Sequence, residues 1–171
     1  MVLPFGVADA MSSLPDRVRR AIRDRFVPAV RAFAANPAMV TRMALVIAVL
    51  PLLERALSLP AMLRLLMPSG GRRADQPQGM AVGPALATCR TALAPLLGLR
   101  VGRFRDNCMT RSLVLFHCLR RAAVPVSVHF GVERRQDDLA GHCWLELEGR
   151  PIAEDPEPLR RLQMTYSYPA T

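Results

Sequence analysis

The sequence predicts an α+β fold, in which a helix packs on a small antiparallel sheet behind an all-helical N-terminal segment. A change of pattern supports this prediction. Up to about residue 122 the apolar residues recur three or four positions apart, as on one face of a helix; after it they take every second position, as in a half-buried strand. Helices followed by strands with short turns are typical of the α+β class. The 171 residues, 51% of them hydrophobic, suffice for one buried core.

Three helices are predicted in the first part of the chain. The first covers about residues 14–34, where the apolar residues keep helical spacing after a capping serine. Asn36 followed by Pro37 predicts the cap and first turn of a second helix, which Pro51 is expected to kink. Ser58 repeats the cap for a short third helix.

A stretch rich in glycine, proline and polar residues, from residue 68 to residue 79, marks a loop or linker. It divides the chain into residues 1–80, a helical segment with its loop, and residues 81–171, a domain that combines helices and strands. A fourth helix is expected from Gly83 to about Leu97.

The second part contains the predicted helix-on-sheet unit. Its expected elements are a helix from residue 107 or 108 to about 122, and strands over residues 124–132, 140–148 and 150–155. The pair Glu148-Gly149 predicts a two-residue hairpin turn between the second and third strands. The tail from Pro156 is expected to be mostly irregular.

All 23 basic residues are arginine, and the formal net charge is +9. Aromatic residues make up only 5% of the chain and no nucleic-acid-binding motif is present, so we expect no specific nucleic-acid partner. The longest uncharged apolar run, Met43 to Leu53, is far shorter than the roughly 20 residues that cross a bilayer. We therefore expect no membrane span. Peripheral contact of the basic N-terminal helices with an anionic membrane surface stays an alternative that we do not favour.

Four cysteines are too few and too scattered for a disulfide scaffold, and no pair has the short spacing of a zinc module. No metal site is expected. The first residues lack the charged and apolar segments of a secretory signal, so a cytoplasmic location with free thiols is predicted.

Cys108 is the candidate nucleophile. Asp106 or Asn107 caps the helix that begins there, and the N–H groups and dipole at a helix start stabilise a thiolate. The other cysteines lie within a helix or on an apolar strand face and are interpreted as small buried residues: Cys89, Cys118 and Cys143. A structural cysteine at a helix start is the alternative for Cys108.

His142 is the candidate base. The hairpin turn pairs residue 147 with residue 150, and counting outward places Asp155 opposite His142. A one-residue bulge would place Glu154 there instead. His117 lies on the cysteine helix and His129 on the outward face of the first strand, so neither has a comparable acid partner. The order cysteine, histidine, acid is that of papain-like and transglutaminase-like enzymes, although a strand histidine can also be purely structural.

The motifs around these residues carry a resemblance to a known family. They are Cys108-Met-Thr-Arg-Ser-Leu, Gly141-His-Cys-Trp-Leu-Glu and Glu154-Asp-Pro. In this order and spacing, over about residues 105–157, the chain resembles the lasso-peptide maturation proteases, the B-protein leader peptidases of the transglutaminase-like superfamily. The leucine-rich helix ending at Leu66 is also similar to the segment that precedes that core. Cys143 departs from the family, in which this residue is usually small.

The resemblance implies a transglutaminase-like or papain-like cysteine protease core in residues 81–171. It implies that the enzyme removes the leader from a ribosomally synthesised precursor, with Cys108, His142 and Asp155 as the triad and Glu154 as the alternative acid. The implied partners are the precursor, a separate leader-recognition protein and an asparagine-synthetase-like cyclase. ATP dependence is implied as well, although the sequence shows no phosphate-binding loop.

Two further residues are candidates for substrate binding. Trp144 shares a strand face with His142, so it either walls a substrate groove or packs in the core. Arg111, one helical turn after Cys108, either holds an acidic substrate group or pairs with a carboxylate of the fold. Rival functions are a transglutaminase-like acyltransferase and a non-catalytic docking or scaffold protein. The N-terminal helices would then dock a partner, or else cover the sheet face of Cys143, Leu145 and Leu147.

Overall fold

The computed structural model describes residues 30–31, 33–68, 82–98, 107–135 and 138–169. Its helices are α1 (Pro37–Ala56), α2 (Leu59–Leu66), α3 (Val82–Gly98), α4 (Cys108–Arg121) and α5 (Pro156–Leu159). Its strands are β1 (Ser127–Arg135), β2 (Asp138–Leu147), β3 (Arg150–Ile152) and β4 (Gln163–Tyr168). This arrangement confirms the predicted α+β class.

The four strands form one antiparallel sheet in the order β3-β2-β1-β4. The predicted hairpin turn is present: Glu148 and Gly149 both have positive φ angles, 51° and 74°, as a two-residue type I′ turn requires. Leu147 pairs with Arg150, as expected from the sequence. The β1–β2 ladder runs from Ser127, opposite Glu146, to Arg135, opposite Asp138. Both strands therefore extend beyond their predicted ends at residues 132 and 140.

The prediction of an irregular C-terminal tail is wrong. After the short helix α5, β4 pairs antiparallel with β1 and completes the sheet. Two tyrosines of β4 explain its position: Tyr166 lies against Phe130 and Tyr168 against Phe116, with ring centroids 6.1 and 6.2 Å apart. The alternation of tyrosine with Thr165 and Ser167 is a strand pattern that was present in the sequence.

Helix α4 is the centre of the core. Its side chains Leu113, Phe116 and Leu119 are fully buried, and each such burial contributes about 1.5–3 kcal/mol. One side of α4 packs on β1 and β2, and the other receives α1 and α3. The sheet face that carries Cys143 and Leu145 is thus covered first by α4, rather than by the N-terminal helices as one sequence interpretation held.

Two predicted caps, Asn36 and Asn107, form their side-chain hydrogen bonds, whereas Ser58 precedes α2 without one. The Asn36 side chain accepts a hydrogen bond from the Met39 N–H at 3.2 Å, and the Asn107 side chain accepts one from the Thr110 N–H at 2.7 Å. Pro51 lies inside α1 as expected. Of the predicted first helix, residues 30–31 and 33–35 are helical, and the remainder lies outside the described residues, as does most of the predicted linker.

Within the described residues, α1 is long and apolar enough to cross a membrane by length and composition alone, with a mean hydropathy of 1.6. About a quarter of that stretch, 28%, is buried inside the protein. Its buried residues, among them Val40, Met43, Ile47 and Leu50, belong to the same core as α4. The same helix also carries large apolar side chains that are exposed, Leu45 at 62% and Leu52 at 63%.

Gly131 of β1 gives a test of how tightly the sheet is packed. A Cβ atom at this position would lie 3.0 Å from Cζ3 of Trp144 and 3.1 Å from Cβ of Leu162. We expect Gly131→Ala to lower the free energy of unfolding by about 1–3 kcal/mol, because the indole or the backbone must move. Urea denaturation followed by circular dichroism measures this loss.

Gly141→Ala is the matched control, since a Cβ at Gly141 on the neighbouring strand would meet nothing within 4 Å. We expect it to change the unfolding free energy by less than about 0.5 kcal/mol. Equal losses in the two variants would contradict the close approach of Trp144 to Gly131.

Candidate active site

Cys108 is the first residue of α4, directly after the cap Asn107. The hydrogen bond from Thr110 N–H to the Asn107 side chain fixes the first turn, and the Cys108 side chain is half-buried. The N–H groups and dipole at this end favour negative charge on a nearby group. The thiol thus lies at the positive end of the α4 dipole.

Ser112 joins the helix start to the strand that carries His142. It lies one turn after Cys108, and its Oγ donates a buried hydrogen bond of 2.8 Å to the carbonyl oxygen of Cys143. Removing the Ser112 hydroxyl would take this donor from a buried carbonyl and lower the free energy of unfolding by about 1–3 kcal/mol. The contact therefore holds the first turns of α4 beside the residue that follows His142.

Two charged groups affect the pKa of the Cys143 thiol. Burial raises the pKa of the Cys143 thiol to about 12, a hydrogen bond with Ser112 opposes this rise, and charge on Cys108 and on Glu154 adds to it. Charge on Cys108 and charge on Glu154 therefore both act on the same buried thiol of β2.

The remaining cysteines are poor candidates for a nucleophile. Burial raises the pKa of Cys118 to about 12, and burial also raises the pKa of Cys89. Like Cys143, both are buried among apolar side chains. These three thiols are therefore protonated at neutral pH, whereas only a thiolate is strongly nucleophilic.

His142 contacts Glu154 and not Asp155. The His142 Nε2 and Glu154 Oε2 atoms are 2.5 Å apart, and both side chains are partly exposed. The prediction that Asp155 lies opposite His142 is wrong, because the β2–β3 ladder ends at the pair Leu145–Ile152 and the chain then turns at Ala153, with φ 69°. Asp155 instead caps α5 by accepting a hydrogen bond of 3.1 Å from Glu157 N–H.

The early end of β3 leaves His142 at an edge of the sheet. Its backbone is paired with Gly131 of β1 on one side, and β3 reaches only as far as Leu145 on the other. Ala153 and Glu154 follow the end of β3 and are not part of its ladder with β2. The edge gives the imidazole access to the carboxylate from outside the ladder.

Trp144 is part of the core beside His142. It is 5% exposed, and its indole stacks on His142 at 6.4 Å and on His129 at 5.7 Å between ring centroids. Its Nε1 donates a hydrogen bond of 2.9 Å to Glu146 Oε1. With so little exposed surface, Trp144 fits the core-packing interpretation better than that of a groove wall.

His129 has an acid partner, contrary to the sequence interpretation. It is 4% exposed; its Nε2 lies 2.8 Å from Ser127 Oγ and 3.4 Å from Glu146 Oε2, and its Nδ1 lies 3.1 Å from Met164 Sδ. The sequence analysis predicted an exposed His129 because it did not predict β4, the strand that places Met164 against this histidine. In the β1–β2 ladder Ser127 lies opposite Glu146, which brings this acid next to His129.

His117 has a structural contact: its Nδ1 lies 2.7 Å from the carbonyl oxygen of Leu66 and so links α4 to the end of α2. Arg111 is exposed and lines a cavity between α3 and α4. In the part of the chain that the structure describes, no three histidine, cysteine or acidic residues are grouped as a metal would require.

The buried His129 predicts a pH dependence of stability. Burial lowers its pKa below the ordinary value of 6.5, with Glu146 opposing this shift. The unfolded chain then binds more protons between the lowered pKa and 6.5, so stability decreases as the pH falls through this window. We expect His129→Gln to remove part of this slope, as measured by urea denaturation from pH 8 to pH 5. Identical slopes in both proteins would contradict the prediction.

Comparison with known proteins yields one family. The family model described as the transglutaminase-like superfamily matches residues 42–167, from α1 to β4. No curated protein and no solved structure is significantly similar. The match covers most of the chain, both parts of the division drawn from the sequence, and the segments that carry Cys108, His142 and Glu154. The protein belongs to the transglutaminase-like superfamily.

Proposed function

We propose that this protein is a cysteine protease that removes the leader from a ribosomally synthesised lasso-peptide precursor. Membership in the superfamily indicates chemistry of the cysteine protease or acyltransferase type. The observation that carries the proposal is the contact of 2.5 Å between His142 and Glu154. His142 lies on β2, and the Ser112 hydrogen bond joins the same strand to the helix that begins at Cys108. The sequence motifs shared with leader peptidases support the choice of substrate.

In the proposed mechanism Glu154 orients the imidazole. Its carboxylate contacts Nε2 of His142, which leaves the proton of the Cys108 thiol to be taken by Nδ1. A carboxylate in this position fixes the tautomer and stabilises the imidazolium as it forms. Glu154 rather than Asp155 is thus the proposed third member of the triad.

The thiolate of Cys108 attacks the carbonyl carbon at the junction of leader and core. The C–N bond breaks, His142 returns the proton to the leaving amine, and a thioester remains on the enzyme. Water then attacks the thioester, passes a proton to His142 and releases the carboxylic acid, while the Cys108 thiol is restored. The backbone N–H of Cys108, at the helix start, is a suitable donor to the oxyanion.

The partners follow from the resemblance and stay part of the proposal. A separate leader-recognition protein is proposed on the resemblance alone. We likewise propose, on the resemblance, the precursor, the asparagine-synthetase-like cyclase and the requirement for ATP. The cytoplasmic location is also a proposal. A short precursor and a cyclase in neighbouring reading frames would support them.

An acyltransferase is the second candidate, because the superfamily includes this chemistry and the same three residues serve it. The two functions differ only in whether water or an amine resolves the thioester. The mass of the released product separates them: a free carboxylic acid indicates hydrolysis, and an added amine indicates transfer.

Cys108→Ala tests the nucleophile. In an assay with precursor, recognition protein and ATP, we expect the cleavage rate to fall by about 1000-fold or more, because no other described thiol can replace it. Cleavage is measured by mass spectrometry. Cys118→Ala is the control, since its thiol is buried in the core; we expect it to reduce stability and to leave cleavage largely intact. Normal cleavage by Cys108→Ala would refute the protease assignment.

Glu154→Gln and Asp155→Asn together test the acid. We expect Glu154→Gln to lower the cleavage rate at least about 100-fold, because the imidazolium loses its counter-charge. Asp155→Asn keeps a side-chain oxygen for the α5 cap, so its rate should stay within about threefold of the wild type. Equal, mild losses in the two variants would contradict the assignment of Glu154.

A further inference from the structure

A cavity of about 260 Å³ opens beside the candidate active site, between α3, α4 and the turn after β3. Its lining includes Arg90, Leu93 and Leu97 of α3, Arg111 and Leu115 of α4, and Ala153. The volume is smaller than the roughly 300–1,000 Å³ of pockets for drug-sized ligands. It suits a single side chain of a larger substrate.

The cavity adjoins both halves of the proposed catalytic machinery. Arg111 and Leu115 follow Cys108 by three and seven positions, so all three lie on one stripe of α4. The step from Cys108 to Arg111 is about 5 Å along the helix axis. On the other side, Ala153 directly precedes Glu154, whose carboxylate contacts His142. A substrate bound at Cys108 would therefore lie within about one helical turn of Arg111, which lines this cavity.

The lining combines an apolar floor with positive charge. Leu93, Leu97 and Leu115 are buried, at 2%, 9% and 2% exposure, whereas Arg90 and Arg111 are exposed. Among the described residues that line the cavity, none is acidic. A guanidinium has five N–H donors in a planar fork, so an arginine that already bonds within the fold keeps donors for a carboxylate.

We propose that this cavity is a substrate subsite that binds a glutamate side chain close to the scissile bond. The two methylene groups of glutamate pack on the leucines, and its carboxylate bonds to Arg90 and Arg111. The peptide part of this inference rests on the proposed function. The preference for a carboxylate over a neutral amide rests only on the two arginines and the apolar floor.

Two matched alkylating probes test the subsite without knowledge of the natural substrate. They are the α-amides of bromoacetyl-glutamate and bromoacetyl-glutamine, which differ only in a side-chain carboxylate or amide. Alkylation forms a C–S bond at Cys108, expels bromide and releases the thiol proton. Mass spectrometry of the peptide containing Cys108 gives each rate. For the wild type, we expect the glutamate probe to react about tenfold faster than the glutamine probe.

Arginine variants assign this preference to the cavity. We expect the ratio of the two rates to fall to about one in the double variant Arg90→Gln/Arg111→Gln, and by a smaller factor in the single variant Arg90→Gln. The double variant Arg64→Gln/Arg121→Gln removes the same net charge from exposed positions outside the cavity lining and should keep the wild-type ratio. A ratio of one in the wild type, or equal ratios in both double variants, would overturn the proposal.

A second measurement separates this inference from the proposed function. If neither probe alkylates Cys108 faster than it alkylates free cysteine, the assignment of Cys108 as the nucleophile fails. A binding experiment then tests the subsite by itself. The Nε–H signals of Arg90 and Arg111 in the Cys108→Ala variant are titrated by nuclear magnetic resonance with the α-amides of N-acetyl-glutamate and N-acetyl-glutamine. Shifts caused only by the glutamate compound support the subsite; equal or absent shifts overturn it.

Discussion

The hydrogen bond from Ser112 to the carbonyl of Cys143 is the contact on which the rest of the candidate site depends. It joins α4 to β2 inside the core, where neither group has access to water. Helix α4 carries the thiol at its first turn and buried core residues in its middle, and near its C-terminal end His117 contacts α2. One element thus supplies both the reactive group and the packing, so a shift of α4 changes the two together.

The features that the sequence predicted well depend on neighbouring residues. The caps Asn36 and Asn107 act within one helical turn, and the turn at Glu148-Gly149 needs only two residues that tolerate positive φ. Position at a helix start marked Cys108 for the same reason. In each case the physical cause lies within a few positions along the chain, so it is visible before folding.

The features that were missed depend on distant contacts. Strand β4 forms because Tyr166 and Tyr168 pack on aromatic rings far away in the sequence, and its arrival buries His129, which a two-strand view leaves exposed. Glu154 replaces Asp155 beside His142 because Ala153 adopts a left-handed backbone conformation. Alanine does not favour this conformation, so its side chain does not signal the turn. No local signal in the sequence distinguishes this turn from a longer strand.

The position of Trp144 has a practical consequence. It is the one tryptophan of the chain, and its indole lies against two imidazole rings, those of His129 and His142. Indole emission depends on the surroundings of the ring, so the intrinsic fluorescence of this protein reports on changes around both histidines. Trp144 is thus a built-in fluorescent reporter that stacks on His142, the proposed base.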